Sequence, residues 1–271
     1  MKAYLPLSIL IFFLVVSGCR PSSNEKKTAP VETVDSVLQQ LEQRVDQYPD
    51  SVVLFRSLID TLTNRGQYMD AAQWCNRLIN RGTDSNYFYW YIKGDVFRKG
   101  KLYDSAIASY TSYLTKFPDD EEILLNLGYT YGEAGDSNAI QLANAIAHRF
   151  PTNQMRSEAA FIKGVYFNTK KQYGEARKWL DACLLLNYNY FEAYMEKGYS
   201  YYDEGKYKEA LASFTTLSNL NNNYADAWYW MAKCQEAIGQ KKEAVADYLQ
   251  AYALDNTIVE ARAAVTRLQT R

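Results

Sequence analysis

The 271-residue chain contains an internal repeat in its C-terminal half. Two blocks of 34 residues, 191–224 and 225–258, follow each other without a gap. In register, an aromatic residue is followed four positions later by a small residue, then by a loop glycine, an alanine and a second aromatic residue. Periods of about 20 to 50 residues are typical of solenoids and related arrays, in which each unit packs on its neighbours. The repeat therefore constrains the fold more than any other feature of the sequence.

The same spacing extends in both directions from this pair. We predict six units, at residues 52–85, 87–120, 121–153, 157–190, 191–224 and 225–258. The third unit needs a one-residue deletion, and three extra residues, 154–156, follow it. An amphipathic helix at 33–51 corresponds to the second half of a unit, and residues 259–271 continue the register as a single C-terminal capping helix.

The recurring residues match the pattern W-x2-L-G-x2-Y, A-x3-F and P of the tetratricopeptide repeat (TPR). The second unit matches best, through Trp90, Gly94, Phe97, Tyr103, Ala106, Tyr110 and Pro118. The chain therefore resembles the TPR family across residues 52–258. The resemblance implies an all-α fold, a right-handed superhelical solenoid of helix–turn–helix repeats, with the first helix of each unit on the concave face.

Small residues of the pattern indicate where the two helices of a unit cross. Helices pack at about 8–10 Å, and the closest approaches need small contact residues. We expect four glycines, Gly94, Gly128, Gly164 and Gly198, to meet four alanines, Ala106, Ala139, Ala176 and Ala210. We assign the repeat's own aromatic residues to packing between units, namely Trp90, Tyr110, Phe214 and Trp228.

The first eighteen residues have the features of an export signal. Lys2 supplies a positive start, an apolar run follows at 5–16, and small residues precede Cys19. The run is shorter than the about 20 apolar residues that a spanning helix needs. The site resembles a bacterial lipobox, which implies that residues 1–18 are removed and that Cys19 is lipidated and attached to a membrane.

A polar segment with two prolines follows, at residues 19–32, and it predicts a flexible tether. Arg20 comes after the lipidated position. In the sorting rule of such lipoproteins, an Asp at this position retains the protein at the inner membrane. By this resemblance, Arg20 favours the outer membrane. We therefore expect an exported protein that is lipid-anchored to a bacterial membrane.

Composition and charge argue against several classes of function. The net charge of -1 lacks the basic excess of a nucleic-acid-binding protein. His148 is the single histidine of the chain, so a histidine-based metal site or catalytic triad cannot be assembled within one chain. The sequence also has no glycine-rich phosphate loop. We predict no catalytic residues, no metal site, no cofactor and no nucleic-acid partner.

Three cysteines remain after Cys19, namely Cys75, Cys183 and Cys234. They fall in the first, fourth and sixth units, which do not touch in a solenoid, whereas a disulfide needs Cα atoms within about 7 Å of each other. We predict that all three are reduced, and that Cys75 and Cys183 are small core residues.

The TPR resemblance also assigns candidate binding residues, because in this family the first helices line the concave groove. The candidates are Arg56, Asp60, Tyr91, Asp95, Arg98, Leu125, Tyr129, Phe161, Val165, Asn168, Met195, Tyr199, Tyr202, Tyr229 and Lys233. Chaperone-binding members clamp a C-terminal carboxylate with Lys, Asn and Arg. This chain has Tyr91, Asp95, Tyr129 and Tyr199 at such places, so a carboxylate clamp is not expected. For the tyrosines, packing and ligand contact remain open alternatives.

We interpret the chain as a non-catalytic, membrane-anchored scaffold that mediates protein–protein interactions in the cell envelope. A segment of an unidentified protein partner would lie in the concave groove. The alternative is a lipoprotein that binds a glycan or another ligand in the aromatic groove. Glycan-capturing lipoproteins with TPR units bind through long insertions, however, and here the insertion is limited to 154–156.

Overall fold

A computed structural model of the protein describes residues 34–48, 50–80 and 87–270. These residues form fourteen α-helices and no β-strand. The helices are α1 (Val34–Gln47), α2 (Val52–Asn64), α3 (Tyr68–Ile79), α4 (Tyr87–Lys99), α5 (Tyr103–Leu114), α6 (Glu121–Ala134), α7 (Asn138–Arg149), α8 (Asn153–Thr169), α9 (Tyr173–Leu186), α10 (Phe191–Asp203), α11 (Tyr207–Leu220), α12 (Ala225–Ala237), α13 (Lys241–Leu254) and α14 (Val259–Gln269). The predicted signal peptide, Cys19 and the tether lie outside the described residues.

The helices pack as a solenoid. Each helix packs against the next one along the chain, and first helices of successive units also pack on each other, as α6 does on α8 and α8 on α10. The core is correspondingly divided into a series of apolar clusters that follow the chain. The predicted fold class, an all-α solenoid of helix–turn–helix units, is confirmed.

Each of the six predicted units corresponds to two helices, from α2 and α3 in the first to α12 and α13 in the last, although α8 begins at Asn153, before the predicted start of the fourth unit. Helix α1 precedes them, and α14 follows as a single C-terminal helix. Residues 154–156 differ from expectation, because they do not form a separate insertion. The Thr152 hydroxyl accepts a hydrogen bond from the Met155 N–H at 3.1 Å, so α8 begins at Asn153 and the extra residues form its first turn.

At the four predicted crossing glycines the nearest neighbour is a large side chain and not the expected alanine, although the Ala176 carbonyl oxygen lies 3.6 Å from a Cβ built on Gly164. A Cβ on Gly198 would lie 2.3 Å from the Phe214 ring, and a Cβ on Gly94 would lie 2.5 Å from the Tyr110 ring. Phe214 follows Ala210 by one helical turn, so the ring covers the surface beside the alanine. The missing Cβ therefore makes room for an aromatic ring.

The aromatic residues that were predicted to pack between units differ in how deeply they are buried. Tyr110 and Phe214 are fully buried, whereas Trp228 is partly exposed and its indole N–H donates a hydrogen bond to the Asn222 carbonyl oxygen at 2.8 Å. Trp90 is also partly buried.

The three cysteines of the repeats are free and fully buried, each in a different apolar cluster. The core positions predicted for Cys75 and Cys183 are confirmed. Burial raises the pKa of the Cys75, Cys183 and Cys234 thiols to about 12. These thiols are therefore protonated and unreactive at neutral pH.

None of the helices in the described part of the chain combines the length and the apolar character that a membrane crossing requires.

Candidate functional site

A concave cavity of about 660 Å³ opens between the first helices of the third to sixth units, α6, α8, α10 and α12. We call it the central cavity. Its aromatic lining consists of Tyr129, Phe161, Tyr190, Tyr199 and Tyr224. Its charged lining consists of Arg98, Glu133, Glu158, Glu192, Glu196 and Asp226. The cavity thus combines aromatic rings with an excess of carboxylates.

One wall is ordered by the Glu158 carboxylate, which accepts hydrogen bonds from the hydroxyls of Tyr129 and Tyr190. The two tyrosine oxygens lie 3.2 Å apart. The ring of Phe161 packs edge-on against Tyr129 at 5.8 Å and lies tilted against Tyr190 at 4.8 Å between centroids. Side chains from α6, α8 and the turn before α10 therefore form a single packed wall.

Burial raises the pKa of both Tyr129 and Tyr190 and is the largest cause of the shift. The negative charge of Glu158 raises both pKa values further. Both hydroxyls consequently stay protonated at neutral pH and remain hydrogen-bond donors.

The floor between α8 and α10 contains a second ordered pair. The Asn168 side-chain amide donates to the Glu196 carboxylate at 2.8 Å and to the Glu196 carbonyl oxygen at 3.0 Å. Burial nevertheless raises the pKa of the Glu196 carboxyl, and the Asn168 hydrogen bond offsets only part of this effect. Tyr199, one turn further along α10, packs edge-on against the Trp230 ring at 4.8 Å.

Arg98 is paired with Glu133 across α4 and α6. The guanidinium and the carboxylate lie 3.1 Å apart, and about a third of each side chain is exposed. Burial raises the pKa of Glu133 although the charge of Arg98 opposes that shift. This cation is therefore already engaged by a carboxylate of the same cavity.

The predicted groove residues near the N-terminus lie outside the central cavity. Arg56, Asp60 and Asp95 line a smaller cavity of about 100 Å³ between α2 and α4. Asp95 accepts a hydrogen bond from the core residue Tyr110 at 2.5 Å, so its carboxylate supports packing. Tyr91 donates to Glu122 at 3.1 Å and thereby joins α4 to α6.

The candidates near the C-terminus form a third cavity. Tyr202, Tyr229 and Lys233 line a space of about 600 Å³ between α10, α12, α13 and α14. The Lys233 ammonium lies 3.9 Å from the centroid of the Trp230 ring. Its charged lining is balanced, with Lys233 and Arg267 opposite Glu236 and Glu260, whereas carboxylates predominate in the central cavity.

The structure thus divides most of the predicted groove residues among three cavities, whereas Tyr91 bonds to Glu122 and Leu125 packs against the apolar cluster of α7 and α8. The central cavity contains Arg98, Tyr129, Phe161, Val165, Met195 and Tyr199. Asn168 supports that cavity through Glu196. The repeat register predicts one continuous groove, whereas the side chains of the first helices form separate cavities that differ in charge.

Sequence reasoning missed the carboxylates and two of the tyrosines. An acidic residue occupies the second position of the third to sixth units, at Glu122, Glu158, Glu192 and Asp226. Tyr190 and Tyr224 are the last residues of the fourth and fifth units. Both sets of residues recur at a fixed position of the repeat, so the repeat register could have identified them. The second position of a unit is predicted to lie near a helix N-terminus, where acidic residues are common for electrostatic reasons, so their recurrence alone does not indicate a site.

Two further observations concern chemistry. Among the described residues, no group of three or more His, Cys, Asp or Glu side chains is arranged to hold a metal ion. His148 is exposed near the end of α7, a second helix, and does not line the central cavity.

Comparison with protein families decides the classification. Models of the tetratricopeptide repeat match residues 89–120 and 225–258, and a model described as TPR repeat matches residues 198–239. The chain contains tetratricopeptide repeats. No curated protein sequence matches it.

Solved structures show the same TPR fold. A tetratricopeptide repeat protein from Parabacteroides merdae is 15% identical with a TM-score of 0.63, and the alignment covers 88% of this chain and 93% of that one. The thermophilic TPR protein TTC0263 from Thermus thermophilus is 20% identical with a TM-score of 0.52, over 68% of this chain and all of its own. At these identities the similarity shows the fold alone. The repeats support a general role as a protein-interaction scaffold.

Proposed function

We propose that this TPR protein is a non-catalytic scaffold that holds a segment of a partner protein in the central cavity. The observation that carries the proposal is the ordered wall of the cavity, in which Glu158 fixes Tyr129 and Tyr190 and the Phe161 ring packs against both. Ordered aromatic side chains offer contact area at a low entropic cost, because little freedom remains to be lost on binding.

The size and shape of the cavity favour a segment over a folded domain. A volume of about 660 Å³ accommodates a few side chains. The cavity crosses the first helices of four successive units, so an extended or helical segment could contact several units at once. We therefore propose a peptide-like ligand that belongs to a larger protein.

We propose further that lipidated Cys19 anchors the scaffold in the bacterial cell envelope, with the outer membrane favoured. The support is the apolar run at 5–16, which precedes small residues and Cys19. Two or three acyl chains anchor a protein stably, whereas a single chain is marginal. The partner would then be held near the membrane.

The anchor is tested by labelling in a bacterial host. Labelled palmitate is expected in the full-length wild type and in its membrane fraction, and to be absent from Cys19→Ala. Label on both proteins, or on neither, would contradict lipidation at Cys19.

Binding is tested by selecting an unbiased library of displayed twelve-residue peptides on the full-length protein in detergent micelles. We expect enriched peptides to bind the wild type and to lose at least about tenfold in affinity on Tyr129→Ala/Tyr199→Ala, since interface aromatics often contribute more than 1 kcal/mol each. A matched control, Tyr48→Ala/Phe117→Ala, removes two exposed rings outside the cavity and should bind normally. Circular dichroism checks that both variants fold.

The glycan alternative predicts a different result. A glycan array that gives binding dependent on Tyr129 and Tyr199, together with no peptide enrichment, would replace the proposed function. Enriched peptides that bind all variants equally would place the peptide site elsewhere.

A further inference from the structure

The charge of the central cavity specifies its ligand further. Five carboxylates line the cavity, and Arg98 is the one cationic side chain among its described lining residues. Because Arg98 is paired with Glu133 at 3.1 Å, the other four carboxylates have no cation partner in the described part of the chain. The protein as a whole is almost neutral, so this excess is local.

Burial makes the imbalance costly. It raises the pKa of Glu196 on α10, whose surroundings oppose a negative charge, and the same effect acts on the more exposed Asp226 on α12. The neighbouring Glu133 raises the pKa of Glu196 further. A cation placed between these side chains would offset the unfavourable interactions, which gives a bound cation an electrostatic advantage.

Aromatic rings surround the same space. Phe161 and Tyr190 lie 4.8 Å apart, and the Tyr190 hydroxyl is turned to the Glu158 carboxylate. Aromatic ring faces attract Arg and Lys side chains, and carboxylates provide hydrogen-bond acceptors for the same groups. Aromatic and acidic side chains together thus complement a cationic side chain with an apolar stem.

We propose that the central cavity binds a basic segment of the partner protein, with an arginine or lysine side chain inserted between the aromatic wall and the carboxylates of Glu192, Glu196 and Asp226. This inference rests on the proposed function, because it specifies the chemistry of the segment that the cavity holds. It excludes the acidic C-terminal segment that a carboxylate clamp would take.

The test uses the same unbiased peptide library and a cavity triple variant, Glu192→Gln/Glu196→Gln/Asp226→Asn. The substitutions remove three negative charges with little change in side-chain shape. We expect peptides selected on the wild type to carry more arginine and lysine than the input library. Their affinity should fall at least about tenfold on the cavity triple variant, because a lost charge pair in a partly buried site is costly.

A control triple variant, Asp104→Asn/Glu209→Gln/Glu243→Gln, removes the same net charge from exposed first-turn positions of α5, α11 and α13. It is expected to bind the selected peptides like the wild type. Replacing the basic residues of a selected peptide by citrulline or acetyl-lysine should lower its affinity at least about tenfold for both the wild type and the control triple variant.

Several outcomes would overturn the inference. Equal losses on the two triple variants would show that only overall charge matters. Selected peptides without a basic excess, which still depend on Tyr129 and Tyr199, would refute the basic ligand and leave the proposed function standing. Failure to enrich any peptide on the wild type would instead reject the proposed function itself. Circular dichroism shows whether each variant is folded.

Discussion

The side-chain amide of Asn168 donates hydrogen bonds to both the carboxylate and the carbonyl oxygen of Glu196, at 2.8 and 3.0 Å. This pair joins the first helices of the fourth and fifth units beneath the central cavity. The Glu196 carboxylate therefore has a partner for one oxygen but no cation, in surroundings that raise its pKa.

Asn168→Ala is expected to destabilise the protein by about 1–3 kcal/mol, because it removes both hydrogen bonds from a poorly solvated carboxylate. Thermal and urea unfolding at neutral pH measure the loss. Asn168→Asp provides a second comparison, since a carboxylate opposite Glu196 adds repulsion and should destabilise more. Unchanged stability in both variants would contradict the structural role of this contact.

The raised pKa of Glu196 predicts a pH dependence of stability. Between the unfolded and folded pKa values the folded protein binds more protons, so this carboxyl destabilises the fold at neutral pH. The destabilisation should decrease as the pH falls through the folded pKa. In Glu196→Gln, stability at neutral pH is expected to be higher and the increase on acidification smaller than in the wild type. A steeper increase in the variant would contradict the sign of the shift.

Gly198→Ala is expected to destabilise the protein by about 1–3 kcal/mol, because its Cβ would overlap the buried Phe214 ring. Gly174 in α9 provides the matched control, since no atom lies within 4 Å of a Cβ built there. Gly174→Ala should be neutral or stabilising by up to about 1 kcal/mol, as alanine favours helix over glycine. Thermal unfolding of both variants checks the contrast, and equal effects would contradict the close crossing.

The buried cysteines should resist alkylation. With a thiol pKa of about 12, the thiolate fraction at pH 8 is on the order of one in ten thousand. Iodoacetamide is therefore expected to label none of the three in the folded protein within minutes and all three in denaturant, as mass spectrometry measures. Rapid labelling of the folded protein, or an intrachain disulfide, would contradict their placement in separate clusters.

The repeat register was sufficient to predict the fold class, because small and large residues recur at a fixed spacing that only stacked helix pairs satisfy. It placed Cys75 and Cys183 in the core correctly. It misassigned the closest neighbours of Gly94 and Gly198, since spacing indicates that a gap exists but not which side chain fills it.

The central cavity was only partly predictable. Tyr129, Phe161 and Tyr199 follow from their positions on first helices. The repeat register places Glu158 at a helix start, where an acid is common, whereas α8 in fact begins at Asn153 and Glu158 lies beyond its first turn. Its role depends on Tyr129 and Tyr190, which are 61 residues apart and meet only when successive units pack. Contacts of this kind depend on the angle between units, which a one-dimensional pattern does not specify.

In-cell photo-crosslinking tests the binding of a protein segment in the central cavity most directly. A photoreactive phenylalanine analogue replaces either Phe161, which lines the cavity, or Phe117, an exposed ring outside it. In full-length protein produced in its native envelope, we expect Phe161 adducts that map to one segment of one partner protein and that decrease with Tyr199→Ala. No adduct at Phe161, or the same adducts at Phe161 and Phe117, would contradict the account.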